Sequence, residues 1–289
     1  MANTSRTKKH RLIQKFIIVI LGTVPKMTKR RNMIEILKAK EVFKQYVSNY
    51  DIKNGRINLK IIHTYHVAEN SKMIAKNLGL NNEEQNLAEL IGLLHDIGRF
   101  EQVRLYNSFN DKETIDHASK GLEVLYADKH IRKYIKDDKY DAIIYKAIEN
   151  HNKLRIEKGL TEQELLHTKI IRDADNIDIF RGLLEQKIED FGKFGSEDIS
   201  KEVLTPYFYE SFKEERLLEY DKAKNDMDIM VAIIAHIFAL EFDESLRIIK
   251  ENDYINKFVK RLNCQDKYTK EKIDEIAKMS IEYINRKLK

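Results

Sequence analysis

Proline and glycine are scarce in this chain: its 289 residues include 2 Pro and 10 Gly. So few backbone breakers leave long stretches unpunctuated, and the abundance of Lys, Glu, Leu and Ile points to an all-helical protein. Cysteine is nearly absent. Cys264 stands alone, which excludes an internal disulfide framework, fits a reducing cytoplasm and removes any thiolate cluster as a metal site. No apolar run reaches the roughly 20 residues that a membrane-spanning helix requires. "FIIVILGTV", residues 16–24, and the later "DIMVAIIAHIFAL" are both too short, and the second reads as a buried core helix.

Acidic residues are missing from one segment only. Residues 1–32 carry nine Lys or Arg and no acid, which leaves 43 basic against 47 acidic residues in the remainder. The net charge of +5 therefore hides a mildly acidic main domain, near −4, with no basic stripe for nucleic acid. The first 32 residues are expected to be a leader, disordered or lying before the true start at Met27 or Met33. An amphipathic membrane contact is the second reading of this segment and secretion the last, since no clear cleavage site follows it. Residues 33–289 are expected to form one helical domain with a C-terminal helical extension, without internal repeat or Gly/Ser/Pro-rich linker.

From Met33 onward the apolar spacing is helical. One helix is expected from the stripe Ile57, Ile61, Thr64, Val67, Ser71, Ile74 and Leu78, stopped by Gly79. "NNEEQNLAELIGLLHD" begins with Asn caps and early Glu. "TEQELLHTKIIRDADNIDIF" opens with a Thr161-x-x-Glu164 capping box. "ETIDHASKGLEVLY" and "DAIIYKAIENHN" are two further helices.

Several polar residues interrupt these apolar patterns. "LIGLLHDIGRFEQ", residues 90–102, sets His95 and Asp96 directly after an apolar run. His63, His117 and His151 belong to three other expected helices or helix ends, and Asp175 lies among apolar neighbours. An inward-facing imidazole is tolerated only where its nitrogens are satisfied. Four of them with Asp96 and Asp175 can satisfy one another by sharing a cation, and ligands from several helices of a bundle commonly do so. Imidazole and carboxylate suit Mn, Fe, Co, Ni, Zn or Mg.

The same residues carry a resemblance. "HTYHV", "LLHDIGR" and "IIRDADNID" resemble, in this order, the first His, the His-Asp doublet and the closing Asp of the HD-domain metal-dependent phosphohydrolase superfamily. "DHASKG" is similar to the His-x-x-x-Gly of its binuclear members, and "ENHN" to their second-site His segment. Together these cover about residues 57–182. The resemblance implies an HD-type helical bundle in which His63, His95, Asp96 and Asp175 hold one divalent ion. His117 and His151 would hold a second, with Asp96 bridging, or would act over a single ion as acid or phosphate ligands. His63 is the first ligand on the alignment, with His66 three residues on as its rival. Asp96 and Arg99 are the expected catalytic residues, Arg99 as a phosphate ligand. The implied activity is hydrolysis of a phosphoester in a small substrate, a nucleotide by the acidic character of the domain. The rival readings are a non-catalytic metal- or nucleotide-binding regulatory module and a di-iron oxygenase. The Gly-Tyr-Pro signature of cyclic-dinucleotide phosphodiesterases does not occur.

Overall fold

The computed structural model describes residues 34–289, and the expected leader lies outside the described residues. Among the described residues every regular element is helical. The first half runs α1 (Ile36–Val47), α2 (Gly55–Asn77), α3 (Asn82–Leu94), α4 (Ile97–Tyr106), α5 (His117–Tyr126), α6 (Ile131–Tyr134), α7 (Asp141–Asn150) and α8 (Glu162–Glu185). Beyond α8 follow α9 (Pro206–Phe212), α10 (Asp226–Ile234), α11 (Asp243–Glu251), α12 (Tyr254–Leu262) and α13 (Lys267–Lys287). No helix among them is long and apolar enough to cross a membrane. α10, from the apolar run noted above, is buried along its whole length.

Local signals in the chain set these boundaries. Asn81 and Glu84 form a capping box at the start of α3, and Thr161 and Glu164 form another at α8. α2 ends at Asn77, and Gly79 takes φ +73°, the left-handed stop that a side chain would resist. Leu78 therefore falls past the helix and is exposed, whereas Ile57, Thr64, Val67, Ser71 and Ile74 are buried as their spacing requires.

α2 packs along α3 and α8, α4 along α5, and α7 along α8. Two of these contacts are closer than ordinary side chains allow. A Cβ on Gly92 would lie 2.7 Å from Ala68 Cα and 2.8 Å from Ser71 Oγ, so α3 presses on α2 through small residues. A Cβ on Gly98 would lie 2.2 Å from the carbonyl oxygen of His117 and 2.4 Å from the backbone nitrogen of Gly121. α4 and α5 thus cross backbone to backbone. The C-terminal α11 and α12 lean on the far side of α8, where Asp173 accepts from the backbone N–H groups of Glu241 and Phe242 at 3.0–3.1 Å.

His167 on α8 is buried, and neither ring nitrogen has a hydrogen-bond partner. Burial pushes its pKa down to about 4. An unfolded histidine titrates near 6.5, so below that pH folding requires release of a proton that the unfolded chain holds. His167 therefore opposes folding increasingly from pH 6.5 down to 4. Relative to His167→Leu, the wild type should lose about 2 kcal/mol of stability between pH 7 and pH 5. Denaturant melts of the two proteins at both pH values measure this, and a difference independent of pH would contradict it.

Candidate metal centre

His95 and Asp96 occupy the break between α3 and α4. Asp96 has φ −103° and ψ 15°, outside the helical region, and this kink turns its carboxylate into the bundle. His63 comes from the middle of α2, His117 is the first residue of α5, His151 follows the last residue of α7, and Asp175 lies in the middle of α8. Five elements thus converge on one chamber. Four histidines and Asp96 are almost wholly buried there, and Asp175 is partly open to solvent.

The imidazoles are oriented alike. In each, Nδ1 faces an oxygen that can only accept: Asp178 Oδ2 for His63 at 2.6 Å, and the Gly92 carbonyl for His95 at 2.7 Å. For His117 it is Asp111 Oδ2 at 2.5 Å, and for His151 the Ile148 carbonyl at 2.7 Å. Nδ1 therefore carries a proton in all four, and every Nε2 points inward. Outer acceptors of this kind fix the tautomer of metal-binding histidines.

The inward atoms fall into two lobes around Asp96. Its Oδ2 lies 3.6 Å from His63 Nε2 and 3.5 Å from His95 Nε2, and Asp175 Oδ1 is 3.1 Å and 3.9 Å from the same two nitrogens. Its Oδ1 lies 3.3 Å from His117 Nε2 and 3.8 Å from His151 Nε2. His63 Nε2 and His95 Nε2 are buried without a hydrogen-bond partner, since the 3.1 Å approach of Asp175 is misaligned. His117 Nε2 and His151 Nε2 face each other at 2.9 Å. Two lone pairs at that distance repel unless a cation lies beside both, and two nitrogens each about 2.0–2.1 Å from one ion at a right angle sit roughly 3 Å apart. Orphaned donors in one lobe and opposed lone pairs in the other both fit divalent metal. The groups His63–His95–Asp175 and His95–Asp96–His151 each gather their donor atoms within 4.8 Å.

Charge supports the same arrangement. Burial pushes the Asp96 carboxyl upward, but Lys60 and the surrounding imidazoles outweigh it and hold the group well below the usual carboxylate range. Asp175 is likewise held low, against its burial, chiefly by His63, whose own pKa is raised, against burial and the Lys60 charge, by Asp175 and Asp178. Burial takes His95 down to about 4, so it is a neutral ligand at physiological pH. His117 is lowered for the same reason.

Arg99 lies at the chamber wall. Its Nη1 donates to Gln102 Oε1, the Phe109 carbonyl and Asp111 Oδ1 at 2.5–2.8 Å, while its Nε, 3.7 Å from Asp96 Oδ1, has no partner. His66 is half-buried and belongs to none of the ligand groups found among the described residues.

Three contributors do not stand out in the sequence. Lys60, one turn before His63, donates to Asp96 Oδ2 at 2.7 Å and lies 5.4 Å from the centre of the Phe109 ring. Asp178 and Asp111 orient His63 and His117. The signal for Lys60 and Asp178 was their helical spacing from a ligand (i−3 from His63, i+3 from Asp175), whereas Asp111 arrives through a loop. Arg172 is another unexpected participant. Its Nη1 donates to the carbonyls of Asn150, His151 and Lys153 at 2.5–3.2 Å, which fastens the segment bearing His151 to α8.

Residues 61–179 match the family model of the HD domain. No curated protein matches the chain, and no solved structure does. The matched span contains all six residues that converge on the chamber, in the order His, His-Asp, His, His, Asp. That match and that buried cluster mark residues 61–179 as an HD domain whose clustered His and Asp groups could hold metal.

Proposed function

We propose that the chain hydrolyses a phosphoester bond in a small substrate, a nucleotide, with one or two divalent ions in the buried chamber. The observation that carries this reading is the shared orientation of the four imidazoles, each with Nδ1 engaged by an outer oxygen and Nε2 aimed at Asp96 or Asp175. His63, His95, Asp175 and Asp96 Oδ2 would hold one ion, and His117, His151 and Asp96 Oδ1 the other. Bound there, divalent ions supply electrophilic stabilisation of a phosphoryl group and a water acidic enough to attack near neutral pH.

The chain's own residues do the rest. Asp178 and Asp111 keep His63 and His117 in register, and burial of the chamber strengthens each interaction within it. Arg99 Nε and the Lys60 ammonium stand at the wall, where they would offset charge on the phosphoryl oxygens. In the overall reaction a P–O bond to the leaving group breaks, water oxygen bonds to phosphorus, and a water proton ends on the leaving oxygen. For a phosphomonoester the products are an alcohol and inorganic phosphate.

Elemental analysis of the purified protein, followed by a phosphoester panel assayed in the metal found, tests this. One or two equivalents of Mn, Fe, Co, Ni, Zn or Mg per chain with release of phosphate from a nucleotide is the expected result. A protein that retains no metal in any excess and releases no phosphate would overturn it. Iron accompanied by oxygen consumption and no phosphate would favour the oxygenase reading instead.

A further inference from the structure

The chamber opens on one side into a cavity of about 580 Å³, within the roughly 300–1,000 Å³ occupied by sites for small organic ligands. His151 and Asp175 stand at its inner end. One face of α8 forms its floor: Arg172, Asp175, Asn176 and Ile179 follow the i, i+3, i+4, i+7 spacing of a single helical stripe. The opposite wall comes from beyond residue 179, outside the family match: Leu217 and Tyr220 precede α10, and His236 and Ala239 follow it. The metal chamber is thereby joined to a cavity whose far wall lies outside the matched span.

The polar groups of the cavity are ordered. Asn176 Oδ1 accepts from His236 Nδ1 at 2.7 Å, and His236 Nε2 lies 3.0 Å from the Tyr220 hydroxyl. Burial takes His236 down to about 4, so the ring is neutral with one N–H. With Nδ1 donating to Asn176, Nε2 can only accept, and Tyr220 must donate to it. Burial pushes the Tyr220 phenol upward, so it keeps that proton. Asn176 Nδ2, without a partner among the described residues, remains a donor to the cavity, and the Tyr220 oxygen remains an acceptor.

The cations on this lining are already engaged. Arg172 holds three carbonyls, Lys112 pairs with Asp221, and Lys153 lies 3.8 Å from Glu157. They leave little for a second phosphate. A second cavity, of about 680 Å³, shares Ile179 and Tyr220 with the first and carries the cationic side chains Arg56, Lys60 and Arg99 in its lining.

We propose that the cavity between α8 and the C-terminal segment receives the leaving group of the substrate, and that Asn176 and Tyr220 select a flat ring bearing an acceptor beside a donor, the edge of a nucleobase. The substrate class is then nucleoside monophosphates. Ile179, Leu217 and Ala239 supply apolar surface for the ring, and the single donor–acceptor pair suits a base edge better than the many hydroxyls of a sugar phosphate. This inference rests on the phosphohydrolase reading for its chemistry but not for its binding site.

Two measurements on the full-length metal-loaded protein test it. The first is kcat/KM for the four nucleoside 5′-monophosphates against phenyl phosphate, which lacks the donor–acceptor edge. Ala239→Phe, which fills the cavity, should lower the ratio of the best nucleotide to phenyl phosphate at least tenfold. Tyr220→Phe, which removes a single hydroxyl, should lower it at least threefold, through KM. Ratios within twofold of wild type in both variants overturn the proposal, as does Arg56→Ala moving the ratio when these two do not. The second measurement is equilibrium dialysis of the same nucleotides. If no phosphoester is cleaved at all, the phosphohydrolase reading fails and dialysis alone decides. Binding lost in Ala239→Phe then upholds the cavity, and binding retained overturns it.

Discussion

Asp96→Ala is expected to strip metal from both lobes of the chamber and reduce phosphate release to background, with helical content close to wild type. Its two carboxylate oxygens are divided between the lobes, Oδ2 toward His63 and His95 and Oδ1 toward His117 and His151. It is the only carboxylate with an oxygen turned to each lobe among the described residues, although His95 Nε2 also lies near His151. The substitution also leaves Lys60 without its partner at the wall. An unpaired buried charge can cost about 3–5 kcal/mol, but the Lys60 side chain is 16% exposed and its flexible stem can swing outward. Asp96→Asn keeps the shape and separates the loss of charge from the loss of volume. Elemental analysis beside circular dichroism reads the outcome, and a variant with full metal load and activity would sink the assignment.

The second large effect concerns the number of ions. His117→Ala and His151→Ala should each lower the stoichiometry from about two ions per chain toward one, with a steep fall in activity, because one ion cannot polarise the phosphoryl group from both sides. The 2.9 Å approach of the two Nε2 atoms is the physical ground, since with each Nδ1 donating outward that geometry needs positive charge between the rings, a shared ion or an additional proton. If the two histidines serve instead as acid or phosphate ligand over a single ion, both variants keep their one equivalent and lose catalysis. The pH–rate profile then loses a limb near neutrality. A wild-type stoichiometry fixed at one, in excess of every metal tried, removes the two-ion arrangement.

Most of the fold was legible in the chain because helix signals are local. Asn81–Glu84 and Thr161–Glu164 act within four residues, and Gly79 acts on its own φ. The site was legible to the extent that its residues violate the apolar pattern around them, as His95 and Asp96 do. Harder to read were residues whose meaning depends on what a neighbouring element brings. The two aspartates flanking Asp175 both read from the sequence as salt bridge or cap, and Asp173 as the one to support a ligand. On α8, however, it faces Glu241 and Phe242, whereas Asp178, one turn beyond Asp175, meets His63. Arg172 reads as a solvated cation until α7 places three carbonyls against it. His63 and His66, three residues apart on one helix, differ only in how α8 and the α3–α4 break close over them. The cavity wall from Leu217 to Ala239 carries no motif at all, since it is made by packing rather than by a pattern of letters.

The contact between Gly98 and Gly121 bears on how such chambers can change. Neither glycine offers a donor atom, yet their bare backbones set the spacing between the segment carrying Asp96 and the segment carrying His117. A single methyl group at Gly98 would wedge α4 from α5 and carry His117 away from Asp96, while His63, His95 and Asp175 lie on helices outside that crossing. The two lobes therefore depend on that crossing unequally: the position of His117 rests on the close approach at Gly98, and those of His63, His95 and Asp175 do not. A chain could keep every ligand in its alphabet and still descend to a one-ion chemistry, by a substitution that an inspection of ligands alone would pass over.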